Sequence, residues 1–262
     1  MRQGGGKRSS RDLMAAWPLT VSIWLLPSVG QAETALVAVA GNFAEVMEKI
    51  EADFERESPH GIMVTVGSTG KLYAQIVQGA PFDVLLAADR RHPELLEGAG
   101  FAVPGARFTY ATGRLVLWSA DPDRIPGDGA ALLRGGDVRR LSMANPELAP
   151  YGAAARETLR RIGVYQSLRE RIVLGENVGQ AYALVATGNA DVGLVALSSV
   201  LSRQNEQPGS RWEVPENLHE PITQDAVLLI RAEDNSAARD LLAYLRRPEV
   251  RELMHGFGYG VN

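Results

Sequence analysis

Four short polar junctions in this chain carry the residue types that can hold a small anion. They are Gly41-Asn42, Gly67-Ser68-Thr69-Gly70, the run Asn145 to Gly152 (Asn-Pro-Glu-Leu-Ala-Pro-Tyr-Gly), and Asn177-Val178-Gly179. Each follows an apolar run that reads as a buried strand and precedes a segment of helical period. That places it at the carboxyl end of a strand, where open α/β sheets bind their ligands. Amides, hydroxyls and a phenol supply donors there, and each helix start adds free N–H groups and the positive end of a helix dipole. Such a set captures an anion rather than making or breaking bonds. No Gly-x-Ser-x-Gly elbow, Walker loop or dinucleotide fingerprint occurs, and His60, His92, His219 and His255 are scattered without ligand spacing. The expectation is a protein that is not an enzyme and has neither a cofactor nor a metal cation site. A plainer alternative stands beside each residue. Asn42, Ser68 and Thr69 are good helix caps, and Tyr151 next to Pro150 suits an interface. Asp83 and Asp191 each precede an apolar run and fit a backbone-bonding role.

Two of the junctions open a unit that occurs twice. Thr69-Gly70-Lys71-Leu72-Tyr73-Ala74-Gln75-Ile76-Val77-Gln78-Gly79 leads into Asp83-Val84-Leu85-Leu86-Ala87, and Val178-Gly179-Gln180-Ala181-Tyr182-Ala183-Leu184-Val185-Ala186-Thr187-Gly188 leads into Asp191-Val192-Gly193-Leu194-Val195. Each copy is a helix with Gly near its start and Gly at its end, followed by a short buried strand. One αβ unit used twice predicts two similar lobes, with the helix starts facing each other across a cleft.

The elements around the junctions are those of an α/β protein with mainly parallel strands. Leu36–Ala40, Ile62–Val66, Arg140–Ala144 and Ile172–Leu174 read as strands, Arg107 to Ser119 as one long strand-like run, and Thr223–Ile230 as a further strand. Helices are expected after Pro150, over Ser236 to Arg246, and from Pro248 to Gly256, the last with Pro at a favoured first position. The polar, Pro-containing stretch from Asn205 to Glu220 reads as a surface excursion. Two passages between lobes, near Ala111–Val116 and Gln224–Leu229, would form a hinge. This divides the chain into residues 33–113 with 227–262 as one lobe and 114–226 as the other.

Residues 1–32 differ in kind. Arg2, Lys7, Arg8 and Arg11 precede the apolar run Ala15 to Leu26, and small residues lead to Ala32. This is the pattern of a secretory signal peptide cleaved after Ala32, and the run is too short for a membrane span. Its removal takes four of the 27 Lys/Arg and one of the 31 Asp/Glu, leaving seven more acidic than basic residues. An acidic chain without a basic cluster offers no footprint for nucleic acid. With no cysteine it has neither disulfides nor thiolate chemistry, so stability must come from its core.

Taken together and in order, Val39-Ala40-Gly41-Asn42-Phe43, Gly67-Ser68-Thr69-Gly70 with Tyr73-Ala74-Gln75-Ile76-Val77, Phe108-Thr109-Tyr110-Ala111 with Gly113 to Ser119, Ala144-Asn145-Pro146 with Ala149-Pro150-Tyr151-Gly152, and Asn177 to Ala181 resemble the periplasmic molybdate-binding proteins of ABC transporters, the ModA family. The resemblance runs through nearly the whole mature chain. It implies a two-lobed periplasmic-binding-protein fold of type II, each lobe a mainly parallel sheet flanked by helices, joined by two hinge strands. It also implies a monomer in the periplasm that closes on molybdate or tungstate and delivers it to a membrane permease. Carried over residue by residue, the donors are the Asn42 side chain and N–H, Ser68 and Thr69, the Tyr151 hydroxyl or the N–H groups beside it, and the Val178 N–H. Where some members place a tyrosine after the strand matching Asp191 to Val195, this chain has Ala196, so any phenol would come from Tyr151. Two other readings are a receptor for another small oxyanion or solute, and an exported enzyme. A deprotonated dianion has only acceptors, so an all-donor pocket satisfies it, whereas a protonated phosphate opposes its own donor to some of them.

Overall fold

The computed structural model of the chain describes residues 1, 4–5, 32–203 and 206–261, so the expected signal peptide falls almost wholly outside the described residues. From Ala32 the chain forms one unit built on two five-stranded sheets. In chain order the elements of the first half are β1 (Thr34–Ala40), α1 (Ala44–Glu57), β2 (Gly61–Gly67), α2 (Thr69–Val77), β3 (Val84–Leu86), α3 (Arg91–Gly98), β4 (Phe108–Gly113), β5 (Leu115–Ser119) and α4 (Gly129–Gly135). The second half holds β6 (Leu141–Ala144), α5 (Pro150–Ile162), α6 (Tyr165–Leu168), β7 (Ile172–Gly175), α7 (Val178–Ala186), β8 (Val192–Ala196), α8 (Leu197–Ser202), β9 (Ser210–Glu213), β10 (Ile222–Leu228), α9 (Ser236–Tyr244) and α10 (Pro248–Gly256).

The first sheet has the order β2-β1-β3-β10-β4 and the second β7-β6-β8-β5-β9. The same plan is used twice. In each, the first three strands are parallel, and the fourth is antiparallel to its neighbours. That fourth strand follows the chain's arrival from the other sheet: β5 comes directly after β4, and β10 comes after β9. The sheets are therefore more mixed than a reading of parallel αβ units implies, because each hinge strand enters its sheet from the opposite lobe. The run from Arg107 to Ser119 is two strands rather than one, β4 and β5, separated by Arg114. All of β10 lies in the first sheet, so the passages between sheets fall between Gly113 and Leu115 and between Glu213 and Ile222. The expected surface excursion contains β9, which pairs with β5.

Period-two alternation builds the core of the first lobe. Ala35, Val37 and Val39 of β1 pack with α1, α9 and α10 on one face, while Ala38 packs on the other with Leu72 and Ile76 of α2 and Leu96 of α3. The second lobe has its own apolar core, with Leu141 and Met143 of β6 packed among Leu159, Ala181 and Leu194. Helices α2 and α7 are both followed by glycines with positive φ, Gly79 at 90° and Gly188 at 73°, a conformation that other residues rarely adopt and that turns the chain back toward the sheet. Asp83 and Asp191 do the same work in the two lobes. Asp83 accepts the N–H of Leu36 at 2.8 Å and pairs with Arg231, and Asp191 accepts the N–H of Arg139 at 2.7 Å and that of Arg140 at 3.3 Å. Asp83 ties the strand after α2 to its parallel neighbour β1, and Asp191 ties the strand after α7 to the segment leading into β6.

Candidate functional site

The four junctions meet. A small cavity, about 10 Å³, is lined by Ala40, Gly41, Asn42, Gly67, Ser68, Thr69, Ala88, Ala149, Pro150, Tyr151, Asn177 and Val178. All five residues expected as ligand donors are on that wall: Asn42, Ser68 and Thr69 from the first lobe, Tyr151 and Val178 from the second. The wall contains no charged side chain. Helices α2, α5 and α7 begin at it, as does the short 3-10 turn Gly41–Phe43 ahead of α1. The N–H groups of Asn42, Thr69, Tyr151 and Val178 lie in first turns, where no intrahelical acceptor exists. The cavity is far smaller than the 300–1,000 Å³ of organic-ligand pockets. A larger cavity, about 430 Å³, lies beside the hinge and is lined by Arg114, Glu213, Glu216 and His219 among others, without a comparable set of converging donors.

The capping alternative fails for the first lobe. Ser68 is the N-cap of α2, yet its side chain accepts no cap bond, and no side-chain cap bond serves the turn at Gly41 or helix α1. The Ser68 Oγ is buried and has no hydrogen-bond partner among the described residues. Thr69 accepts the N–H of Ala88 at 3.0 Å through its Oγ1, which leaves its own proton free to donate. In the second lobe the cap is Asn177, whose Oδ1 accepts the Gln180 N–H at 3.1 Å.

The Tyr151 side chain turns toward the hinge, and so does the Nδ2 end of Asn42. The Tyr151 hydroxyl accepts from Gln224 Nε2 at 3.4 Å and occupies the space a side chain on Gly113 would fill. Neither Gln224 nor Gly113 lines the cavity, so Tyr151 offers it an N–H more directly than a phenol. Asn42 gives its Nδ2 to Gln224 Oε1 at 2.8 Å and to the Tyr259 hydroxyl at 3.0 Å, while its Oδ1 has no partner among the described residues. Burial pushes the phenols of Tyr110, Tyr151 and Tyr259 well above their ordinary range, so all three are neutral. Gln224, Tyr110, Tyr259 and Ser198, which accompany the site, were not anticipated from sequence. The one signal was Gln224 within the polar run Thr223-Gln224-Asp225 of a strand that ends apolar.

The lobes are closed on the cavity. Gly70 N–H donates to the Leu148 carbonyl at 2.9 Å, Ser198 Oγ to the Asn42 carbonyl at 2.9 Å, and Lys71 pairs with Glu176 at 2.9 Å. Among the described residues no group of three His, Asp or Glu side chains is placed to hold a metal ion.

Two lobes, two hinge passages and a donor-lined cavity between them define a solute-binding protein. The profile of the family described as bacterial extracellular solute-binding protein matches residues 35–260. The chain is similar to the molybdate-binding protein ModA of Azotobacter vinelandii, 46% identical over 237 residues, covering 90% of this chain and 94% of that one. It is 45% identical over 224 residues to ModA of Rhodobacter capsulatus, covering 86% and 87%. The solved periplasmic molybdate-binding protein of A. vinelandii superposes with a TM-score of 0.83 at 38% identity, covering 87% of this chain and 99% of that one. The chain belongs to the ModA family of bacterial extracellular solute-binding proteins. Its relatives are binding components of transporters, not enzymes.

Proposed function

We propose that this protein captures molybdate or tungstate outside the cytoplasmic membrane and delivers it to the permease of an ABC importer. The observation that carries the reading is the buried Ser68 hydroxyl, without a partner among the described residues, on the wall of a cavity where helix starts from both lobes converge. A tetrahedral dianion accepts at every oxygen, and the wall supplies hydroxyl and N–H donors with no Lys or Arg. Helix dipoles and charge-assisted hydrogen bonds supply the attraction, and neutral donors keep release feasible. The names of the A. vinelandii and R. capsulatus relatives support the choice of ligand. In this reading residues 1–32 direct export and are removed, the mature chain works as a monomer in the periplasm, and its ligand donors are the Ser68 and Thr69 hydroxyls, the Asn42 amide and the N–H groups of Asn42, Tyr151 and Val178.

A thermal-shift panel on the mature chain tests this. Molybdate and tungstate should each raise the melting temperature strongly, since a ligand at 100 times its Kd stabilises the folded state by about 2.7 kcal/mol. Phosphate should do little. Equal stabilisation by phosphate, or none by molybdate, overturns the assignment.

A further inference from the structure

The carboxamide of Gln224 is fully buried on the hinge strand β10 and touches both lobes. Its Oε1 accepts from Asn42 Nδ2 at 2.8 Å and from the Tyr110 hydroxyl at 2.9 Å, and its Nε2 donates to the Tyr151 hydroxyl at 3.4 Å. This arrangement leaves one defect, the buried Asn42 Oδ1 without a partner among the described residues. A buried acceptor left unsatisfied is destabilising, and an oxygen presented to an anion repels it.

Exchanging the two ends of both carboxamides moves the unpartnered end from Oδ1 to Nδ2, a donor that an anion in the cavity satisfies, and it gives up the 2.7 Å bond from the Tyr259 hydroxyl to the Asn42 carbonyl, because that hydroxyl has one proton to give. Gln224 Nε2 then donates to Asn42 Oδ1 and to the Tyr110 oxygen, and the Tyr259 hydroxyl also donates to that Oδ1. The Tyr151 hydroxyl donates to Gln224 Oε1, and Tyr110 turns its proton to the Ala87 carbonyl, 3.1 Å away. The Asn42 carbonyl keeps its bond from Ser198. Nδ2 of Asn42 becomes the end of the amide that the hinge does not hold. We propose that Gln224 is a positioning residue for the oxyanion site, reversing together with Asn42 when the anion binds, so that Asn42 presents a donor to the cavity. This rests on the oxyanion reading above. Only a carboxamide, with one donor end and one acceptor end, serves both arrangements: a carboxylate has acceptors alone, and a thioether lacks a donor.

The test is a double-mutant cycle read by calorimetric titration with molybdate on the mature protein, Gln224→Met, Asn42→Ala and the double variant, with melting temperatures taken without anion. Gln224→Met should weaken binding about 10- to 100-fold in the natural background. In the Asn42→Ala background it should weaken binding by no more than about threefold, because its partner is already gone. The Asn42 side-chain amide resonances, assigned by their loss in Asn42→Ala, should shift on adding molybdate to the natural protein and shift less in Gln224→Met. Equal losses in both backgrounds, or a lowered melting temperature with unchanged affinity, overturn the role. Should Gln224→Met fail to fold, Gln224→Glu carries the same cycle. If the natural protein binds neither molybdate nor tungstate, the functional reading itself falls, whereas binding with an additive cycle removes only the role of Gln224.

Discussion

The N–H of Gly70, at the start of α2 in one lobe, donates to the carbonyl of Leu148, ahead of α5 in the other, at 2.9 Å. Main chain meets main chain across the cleft, and a Cβ on Gly70 would stand 2.9 Å from that oxygen and 3.4 Å from the Leu148 Cα. Backbone on both sides leaves little room to yield. Gly70→Ala should therefore hold the lobes apart, lower molybdate affinity by about tenfold or more, and leave a larger radius of gyration under saturating ligand. Small-angle scattering and titration check this. Natural affinity with natural compaction would show that closure does not depend on the contact.

Ser68 and Thr69 should separate binding from folding. Ser68→Ala removes a hydroxyl that bonds nothing among the described residues, so stability should hold while affinity drops by about 1.5–3 kcal/mol, the worth of a hydrogen bond to a charged group. Thr69→Ala strands the Ala88 N–H, and the fold should lose about 1–3 kcal/mol as well. Denaturant melts paired with titration decide. A Ser68→Ala variant that is destabilised yet binds normally would return Ser68 to a structural role.

Tyr151→Phe removes a hydroxyl that faces Gln224 and Gly113, while the Tyr151 N–H stays in place. Affinity should remain within about threefold, since the lost bond is neutral and outside the cavity, at a cost to the fold of about 1 kcal/mol. A hundredfold loss of affinity would make the phenol a direct ligand.

Asp191→Asn should lower stability more than affinity. Burial works to raise the Asp191 pKa, but the N–H of Arg139, the Arg139 guanidinium and the N–H of Arg140 outweigh it and hold the carboxyl below its ordinary value. A depressed folded pKa gives stability that is present above the unfolded value of about 3.9 and lost as pH falls through the folded one. The melting-temperature gap between the natural and Asp191→Asn proteins should be full near neutrality and close in acid. A gap that widens in acid would contradict the assignment.

Much of the architecture is legible in local pattern. The repeated αβ unit announces two lobes because each copy carries its own period, its glycines and an Asp ahead of a buried strand. The four polar junctions stand out because polar residues between apolar runs mark strand-to-helix turns. Helix α10 begins and ends where its Pro and Gly place it. Strand β9, by contrast, is four residues, Ser210–Glu213, with little apolar content, and exists because β5 offers it an edge.

What the sequence determined by itself is which residues sit at strand ends and helix starts, since φ preference, hydrophobic period and capping chemistry act over a few neighbours. The tertiary structure alone decided where those side chains point. Asn42 and Tyr151 look alike in sequence, as donors poised at helix starts, yet both turn to Gln224, a residue 182 and 73 positions away along the chain. Ser68, which reads as an ordinary cap, is left without a partner among the described residues because the closed lobes bury it against the cavity. Hydrogen bonds between distant segments depend on how the sheets pack and how the hinge closes, and no local spacing encodes that.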